Sequence, residues 1–279
     1  MPELPEVETM RRGIAGAKGG VIAEVAAWPC ERKPILIRPK IAAFRRRVVG
    51  QKVAEVGRVG KRVVLRLASG DAVIFEPRMT GLVLVGAPPS VEHLRFHVRL
   101  SRAKLKEFWY WDRRGLGSVR LLNPREFERE LGPRKLGPDA LAVDADALRE
   151  RLQASRQAIK VALLDQRAVA GVGNLYASEI LHLAGVHPGK ACERLTANDW
   201  LRMHAALREI LEDAVRHEGS TLADGTYRNV LNDPGGYQNC HRVYDRAGEL
   251  CRLCGQGPIQ RIVQAQRSTF YCPRCQRKR

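Results

Sequence analysis

Two cysteine pairs, Cys251-x2-Cys254 and Cys272-x2-Cys275, stand seventeen residues apart near the end of the chain. Each pair sets two thiolates on one tight turn, and a hairpin between the pairs brings all four together as a tetrahedral shell. The spacing therefore predicts one structural zinc held by Cys251, Cys254, Cys272 and Cys275. Four thiolates leave no open coordination position, so the metal is expected to hold the fold rather than to catalyse. A redox dithiol is the other reading of such pairs, but no thioredoxin-like βαβ pattern surrounds either one. Cys30, Cys192 and Cys240 are left over, and buried packing is their default role.

The 250 residues before Cys251 must form the bulk of the fold. A chain of 279 residues suggests two domains and a small third. At 44% hydrophobic and 28% charged, the composition excludes disordered and collagenous classes and a disulfide scaffold. The charge balance is unusual: 48 Lys+Arg against 30 Asp+Glu gives +18, a field that favours polyanions and makes nucleic acid the first partner to consider. The start, Met1-Pro-Glu-Leu-Pro, lacks the basic and apolar regions of a signal peptide, and no apolar run approaches the roughly 18 residues of a membrane span. A cytoplasmic, nucleoid-associated protein with no membrane partner is expected, with a monomer as the default state.

From Val21 to Leu122 the chain reads as short β-rich runs separated by turn signals, suited to an antiparallel sandwich or barrel. Before it, Pro5 to Gly13 carries its acids early and its bases late, as a helix that complements its own dipole does. After Gly132-Pro133 and Gly137-Pro138 the periodicity turns helical, which predicts a domain boundary near 131–140. Thr196 and Asp199 offer a capping box for a helix running to about His217. Leu222 to Tyr244, rich in Gly, Asn, Asp and Tyr, reads as a long functional or mobile loop.

Several constellations could carry chemistry. Pro2 follows the initiator Met, and removal of Met1 exposes a secondary amine beside Glu3. A terminal amine is on the order of a quarter unprotonated near neutral pH, so it is a usable nucleophile, and a neighbouring carboxyl can move protons. Gly171-Val-Gly-Asn174 opens a helix whose N-H groups suit phosphate, with Arg156 and Lys160 upstream; a plain turn is the alternative. Residues 31–66 hold twelve Lys+Arg against Glu31 and Glu55, either a solvated strand face or part of a DNA-facing groove. Lys61 within that run is a groove base or a phosphate clamp. Arg267 falls near the turn of the predicted hairpin, where it either binds phosphate or is aimed at chemistry. Tyr110-Trp-Asp-Arg-Arg-Gly-Leu-Gly117 suits a loop that wedges into a base stack, with Trp109 and Trp111 expected in the core.

Taken together, Pro2-Glu-Leu-Pro-Glu-Val-Glu-Thr, Gly171-Val-Gly-Asn-Leu-Tyr-Ala-Ser-Glu and Gln266-Arg-Ser-Thr-Phe-Tyr-Cys resemble the formamidopyrimidine-DNA glycosylase family, in family order from Pro2 to the last cysteine pair. The resemblance implies an α+β fold: a β-sandwich with an N-terminal helix (1–132), a helix-two-turn-helix DNA-binding domain (133–235) and a zinc ribbon (236–279). It implies excision of oxidised purines from damaged double-stranded DNA by a glycosylase and AP lyase that flips its target nucleotide. By the same resemblance Pro2 is the Schiff-base nucleophile, Glu3 the proton donor and acceptor, Lys61 a helper in β-elimination and Arg267 the ribbon arginine tied to δ-elimination. Asn174 matches a phosphate contact, Glu6 the second N-terminal carboxylate, His93 a DNA-contacting histidine, and Met79 and Arg114 gap-filling positions. Where the family often reads Asp-Pro-Arg-Arg-Phe-Gly, this chain has Asp112-Arg-Arg-Gly-Leu-Gly117, so Leu116 takes the wedge position and Gly115 replaces an arginine. The rival readings are an endonuclease VIII-like enzyme for oxidised pyrimidines and a non-catalytic binder of damaged DNA.

Overall fold

The computed structural model describes residues 2–30 and 33–278, and these form two compact units. Met1 and Glu31, named above, lie outside the described residues, as do Arg32 and Arg279.

The first unit comprises residues up to 132 together with 217–236. In chain order it contains α1 (Leu4–Gly13), β1 (Val21–Ala27), β2 (Leu36–Arg38), α2 (Ile41–Val48), β3 (Val53–Val59), β4 (Arg62–Leu67), β5 (Ala72–Glu76), β6 (Gly81–Leu84), β7 (Leu94–Ser101), β8 (Glu107–Asp112), β9 (Ser118–Leu122) and α3 (Pro124–Leu131). One sheet has the order β1-β7-β8-β6 and the other β2-β9-β5-β4-β3. Every pairing is antiparallel except β2 with β9. The core between them takes Val25, Phe96, Val98 and Phe108 from the first sheet and Val63, Leu65, Val73 and Phe75 from the second. The second set alternates along its strands, as the pleat requires. One helix breaks the β-rich reading: α2, which sends Phe44 and Val48 into the core; α3 follows the last strand, its start fixed by a capping box between Asn123 and Glu126.

Helix α1 packs against β3 and β4 and places Val7 and Met10 in the sandwich core. Its acids are buried rather than solvated. Glu8 accepts from Arg11, Arg12 and Arg58, at 2.8 to 3.2 Å. Arg58 also donates to the carbonyl of Gly60 at 2.9 Å, so the helix is tied to the tip of the β3–β4 hairpin. Arg47 pairs with Asp71 and Arg62 with Glu76. These members of the basic run therefore brace the sandwich instead of lining a groove.

The second unit holds 133–216 and 237–278. It contains α4 (Ala145–Leu152), α5 (Ile159–Leu163), α6 (Asn174–Leu183), α7 (Ala197–Arg216), β10 (Gln260–Gln264) and β11 (Arg267–Tyr271). The two turns between α5 and α6 are stitched by Gln166, whose amide donates to the carbonyls of Leu164 and Val172 and accepts from the N–H of Gly171. Helix α7 begins with the expected reciprocal cap, Thr196 and Asp199 each accepting from the other's backbone N–H at 3.1 and 2.9 Å. Strands β10 and β11 form the ribbon hairpin, closed by the pair Gln264 and Arg267. The intervening Ala265 and Gln266 both have left-handed φ, 46° and 59°, as a two-residue type I′ turn demands.

The ribbon is fastened along α6. Asn174 donates to the carbonyl of Ser268 at 3.0 Å. One turn and a half later, Glu179, which is 0% exposed, accepts from the backbone N–H groups of Arg242, Val243 and Tyr244 at 2.8 to 2.9 Å. Among the described residues, no helix is long and apolar enough to cross a membrane.

Burial pushes the Glu8 carboxyl up, but hydrogen bonds and charge from Arg11, Arg12 and Arg58 outweigh it and hold the group below the usual carboxylate range. A depressed folded-state pKa contributes stability above the unfolded value, near 4.3, and loses it as pH falls through the folded one. Glu8→Gln should therefore be less stable than wild type at pH 6, with the gap closing below about pH 4. Thermal unfolding at a series of pH values measures this, and a gap independent of pH would show that the ion pairs contribute nothing.

Candidate active site and DNA-facing loops

Pro2 and Glu3 lie at the start of α1 and are both buried. Glu6 holds the Glu3 backbone. One of its carboxylate oxygens accepts from the Glu3 N–H at 2.8 Å and the other from the Ser220 N–H at 2.9 Å. Glu6 itself is buried, so this second N-terminal carboxylate is a bracket between α1 and the Gly219-Ser-Thr segment. Gly219 must be glycine twice over: its φ is +81°, and a Cβ there would come within 2.7 Å of the Glu6 carboxylate.

Lys61 follows Gly60 in the two-residue turn between β3 and β4, where Gly60 takes a φ of 55°. The Glu8–Arg58–Gly60 link holds this turn to the same helix that carries Pro2 and Glu3.

The three gap-filling candidates sit on two adjacent loops. Met79 and Leu116 are exposed, large and apolar, and Arg114 is exposed beside them. A buried carboxylate that the sequence reading passed over joins the loops: Asp112 accepts from the Thr80 hydroxyl at 2.5 Å, from Arg114 N–H at 3.1 Å and from Gly117 N–H at 2.7 Å. The Thr80 hydroxyl also accepts from Arg114 N–H. The wedge loop is shorter than expected, since Tyr110, Trp111 and Asp112 belong to β8 and only 113–117 form the loop. Gly115 has a φ of +63°, and a Cβ would meet the carbonyl of Lys33 at 2.2 Å, so the departure from arginine there is dictated by the backbone. Arg113 reaches from this loop to the hydroxyl of Thr226 at 2.7 Å.

His93 ends a short 3-10 turn, and it too has an unforeseen support. The buried Arg95 donates to the carbonyl of Glu92 and approaches His93 Nδ1 at 3.4 Å. A guanidinium has no acceptor, so Nδ1 must offer its lone pair and Nε2 carries the proton. Trp111, buried as expected, pins the other end of the turn through its indole N–H to Ser90 O; Trp109 is partly buried and stacks on His97.

In the second unit, Asn174 is brought to the ribbon hairpin just beyond Arg267, whose side chain is exposed. Arg156 is exposed as well, near Glu193 at 3.7 Å. Lys160 departs from expectation. It is 1% exposed, and its ammonium donates to Asn174 Oδ1 at 2.5 Å, Thr269 Oγ1 at 2.7 Å and Ser268 O at 3.2 Å. It fixes Asn174 and the hairpin from beneath rather than meeting phosphate itself. The loop at 222–236 is anchored in the first unit by Tyr227 and Val230, both in the sandwich core, leaving its tip at 223–225 exposed.

The four cysteine sulfurs lie within 4.8 Å of one another. The Cys251–Cys275 and Cys254–Cys272 separations are 3.8 and 3.7 Å. A tetrahedron with Zn–S bonds of about 2.3 Å has edges of about 3.8 Å, so the donor set fits zinc, which supplies structure and no chemistry here. Of the other cysteines only Cys192 is fully buried; Cys30 and Cys240 are partly exposed.

Comparison with known proteins agrees with this architecture part by part. Residues 1–119 match the formamidopyrimidine-DNA glycosylase N-terminal domain, 136–225 the formamidopyrimidine-DNA glycosylase H2TH domain, and 248–277 the zinc finger found in FPG and IleRS. The formamidopyrimidine-DNA glycosylase of Chloroflexus aurantiacus is 38% identical over 281 residues, covering 99% of this chain and 98% of that one. The crystal structure of MutM (Fpg) from Thermus thermophilus superposes with a TM-score of 0.83 at 34% identity, covering 99% of this chain and 98% of that one. Lactococcus lactis Fpg, solved with Fapy-dG-containing DNA, gives 0.83 at 30% identity, covering 99% and 100%. The chain belongs to the formamidopyrimidine-DNA glycosylase family.

Asp112→Ala leaves the Thr80 hydroxyl and the N–H groups of Arg114 and Gly117 without their acceptor. It should cost roughly 3 kcal/mol and weaken binding to lesion-bearing DNA more than to undamaged duplex. Denaturant unfolding and binding titrations test this, and equal losses for both duplexes would separate the knot from lesion recognition.

Proposed function

We propose that this chain is a bifunctional DNA glycosylase and AP lyase that removes oxidised purines, 8-oxoguanine and formamidopyrimidines, from duplex DNA in base excision repair, acting as a monomer. The observation that carries the reading is the bracketed N-terminus: Pro2 is buried beside Glu3, whose N–H is held by Glu6, on a helix tied through Glu8 and Arg58 to the turn of Lys61. Family membership and relatives solved with DNA containing Fapy-dG or carbocyclic 8-oxo-G support the substrate class.

With Met1 removed, the Pro2 nitrogen attacks C1′ of the flipped nucleotide and the base leaves with a proton, giving an aminal; the C1′–O4′ bond then breaks, O4′ takes a proton, and an open-chain iminium remains. Glu3 is the group that exchanges protons with the deoxyribose. Loss of a C2′ proton expels the 3′ phosphate, with Lys61 assisting; a second elimination expels the 5′ phosphate, which Arg267 contacts. Met79, Arg114 and Leu116 fill the gap left in the stack, and His93, Asn174 and Arg156 hold the phosphate backbone. Glu6 and Lys160 act one step back, by positioning Glu3 and Asn174.

Borohydride trapping on a duplex carrying 8-oxoguanine opposite cytosine should give a covalent adduct that maps to Pro2. Pro2→Gly should bind the same duplex while slowing adduct formation at least about 100-fold, on the scale of losing a nucleophile. Adducts on an abasic duplex alone would redirect the assignment to another lesion, and unchanged excision by Pro2→Gly would remove it.

A further inference from the structure

Helix α6 meets the ribbon a third time at its C-terminal end, through a residue that nothing above assigns. His182 is 0% exposed, and its Nε2 lies 3.2 Å from Sγ of Cys251, one of the four zinc ligands. Its other ring nitrogen, Nδ1, is buried and has no hydrogen-bond partner.

These two facts choose the tautomer. A zinc-bound thiolate is an acceptor only, so the nitrogen facing it must carry the proton. If the proton sat on Nδ1, a buried N–H would be orphaned and a lone pair would be turned against the thiolate. With the proton on Nε2, the sulfur gains a donor and Nδ1 is left as an unpaired acceptor, the less costly of the two orphans. Four thiolates around one Zn²⁺ carry a net charge of −2, and Cys251 and Cys272 are buried, so charge on their sulfurs is poorly solvated. A donor built into α6 answers that need.

We propose that His182 is a positioning residue for the zinc centre: its Nε2–H donates to the Cys251 thiolate, withdraws charge from that sulfur and locks the cluster to the end of α6. The inference concerns the metal site and is independent of the catalytic reading. Outer partners of this kind typically alter metal affinity by about 10–100-fold.

The test uses the full chain. In wild type loaded with 113Cd, the long-range 15N spectrum should show His182 protonated at Nε2, with scalar coupling between that proton and the metal through the sulfur. Zinc affinity, measured by competition with a chromophoric chelator, should fall about 10–100-fold in His182→Phe. It should recover in large part in His182→Gln, whose amide nitrogen reaches about the place of Nε2. A ring that merely fills space gives the opposite order, with Phe retaining zinc and Gln losing it. That order, or a proton found on Nδ1, would overturn the proposal, and the spectrum of wild type decides the matter even if a variant fails to fold.

Discussion

A carboxylate with no access to water holds the second unit together. Glu179 is buried completely, a position that ordinarily raises a carboxyl's pKa, and burial does push it up here against the opposing pull of three backbone N–H groups and Arg242. The three amides come from consecutive residues, Arg242 to Tyr244, which form a concave nest for the two oxygens. Because the acceptor stands on α6 and the donors on the segment leading into the zinc ribbon, one side chain sets where the ribbon lies. The attachments of Asn174 and His182, on either side, then fix its rotation about that point.

The same device recurs in the first unit with different partners. Glu6 joins the start of α1 to Ser220, and Asp112 joins the loop of Met79 to that of Leu116. In each case a carboxylate uses both oxygens on groups from separate stretches of chain, which fixes angle as well as distance. The residues that face outward, Met79, Arg114, Leu116, Arg156 and Arg267, make few bonds of their own. Asp112 beneath them places Met79, Arg114 and Leu116, and Glu179 places the ribbon that carries Arg267. A strongly basic protein thus relies on a minority of acids for its internal geometry and leaves its surplus of cations to the surface.

What could be read in advance was what is local. The cysteine spacing, the Thr196 and Asp199 cap, the hairpin that carries Arg267 and the helix after Pro2 each depend on residues a few positions apart, and the structure forms all of them. The cap at Asn123 and Glu126 was equally local and could have been found from its Asn-Pro-x-Glu signature. The burial of Lys160 is not legible in the sequence, because charge argues for the surface unless partners are known, and those partners lie up to 109 residues away. Arg95, Asp112 and Gln166 were invisible for a related reason. Each is an ordinary polar residue whose role exists only once a strand or turn brings a carbonyl, a hydroxyl or an imidazole to it.

Those separations also describe a sequence of events in time. Lys160, Asn174 and Glu179 leave the ribosome well before Arg242 to Tyr244, Ser268 and Thr269 do, and the longest interval is 109 residues. At roughly 5–20 residues per second, the Lys160 ammonium on α5 and the Glu179 carboxylate on α6 stay hydrated for seconds to about 20 s before their partners emerge. During synthesis the polar positions of α6, Asn174 and Glu179, therefore face water, and they become interior only when the segment from Arg242 to Ser268 arrives.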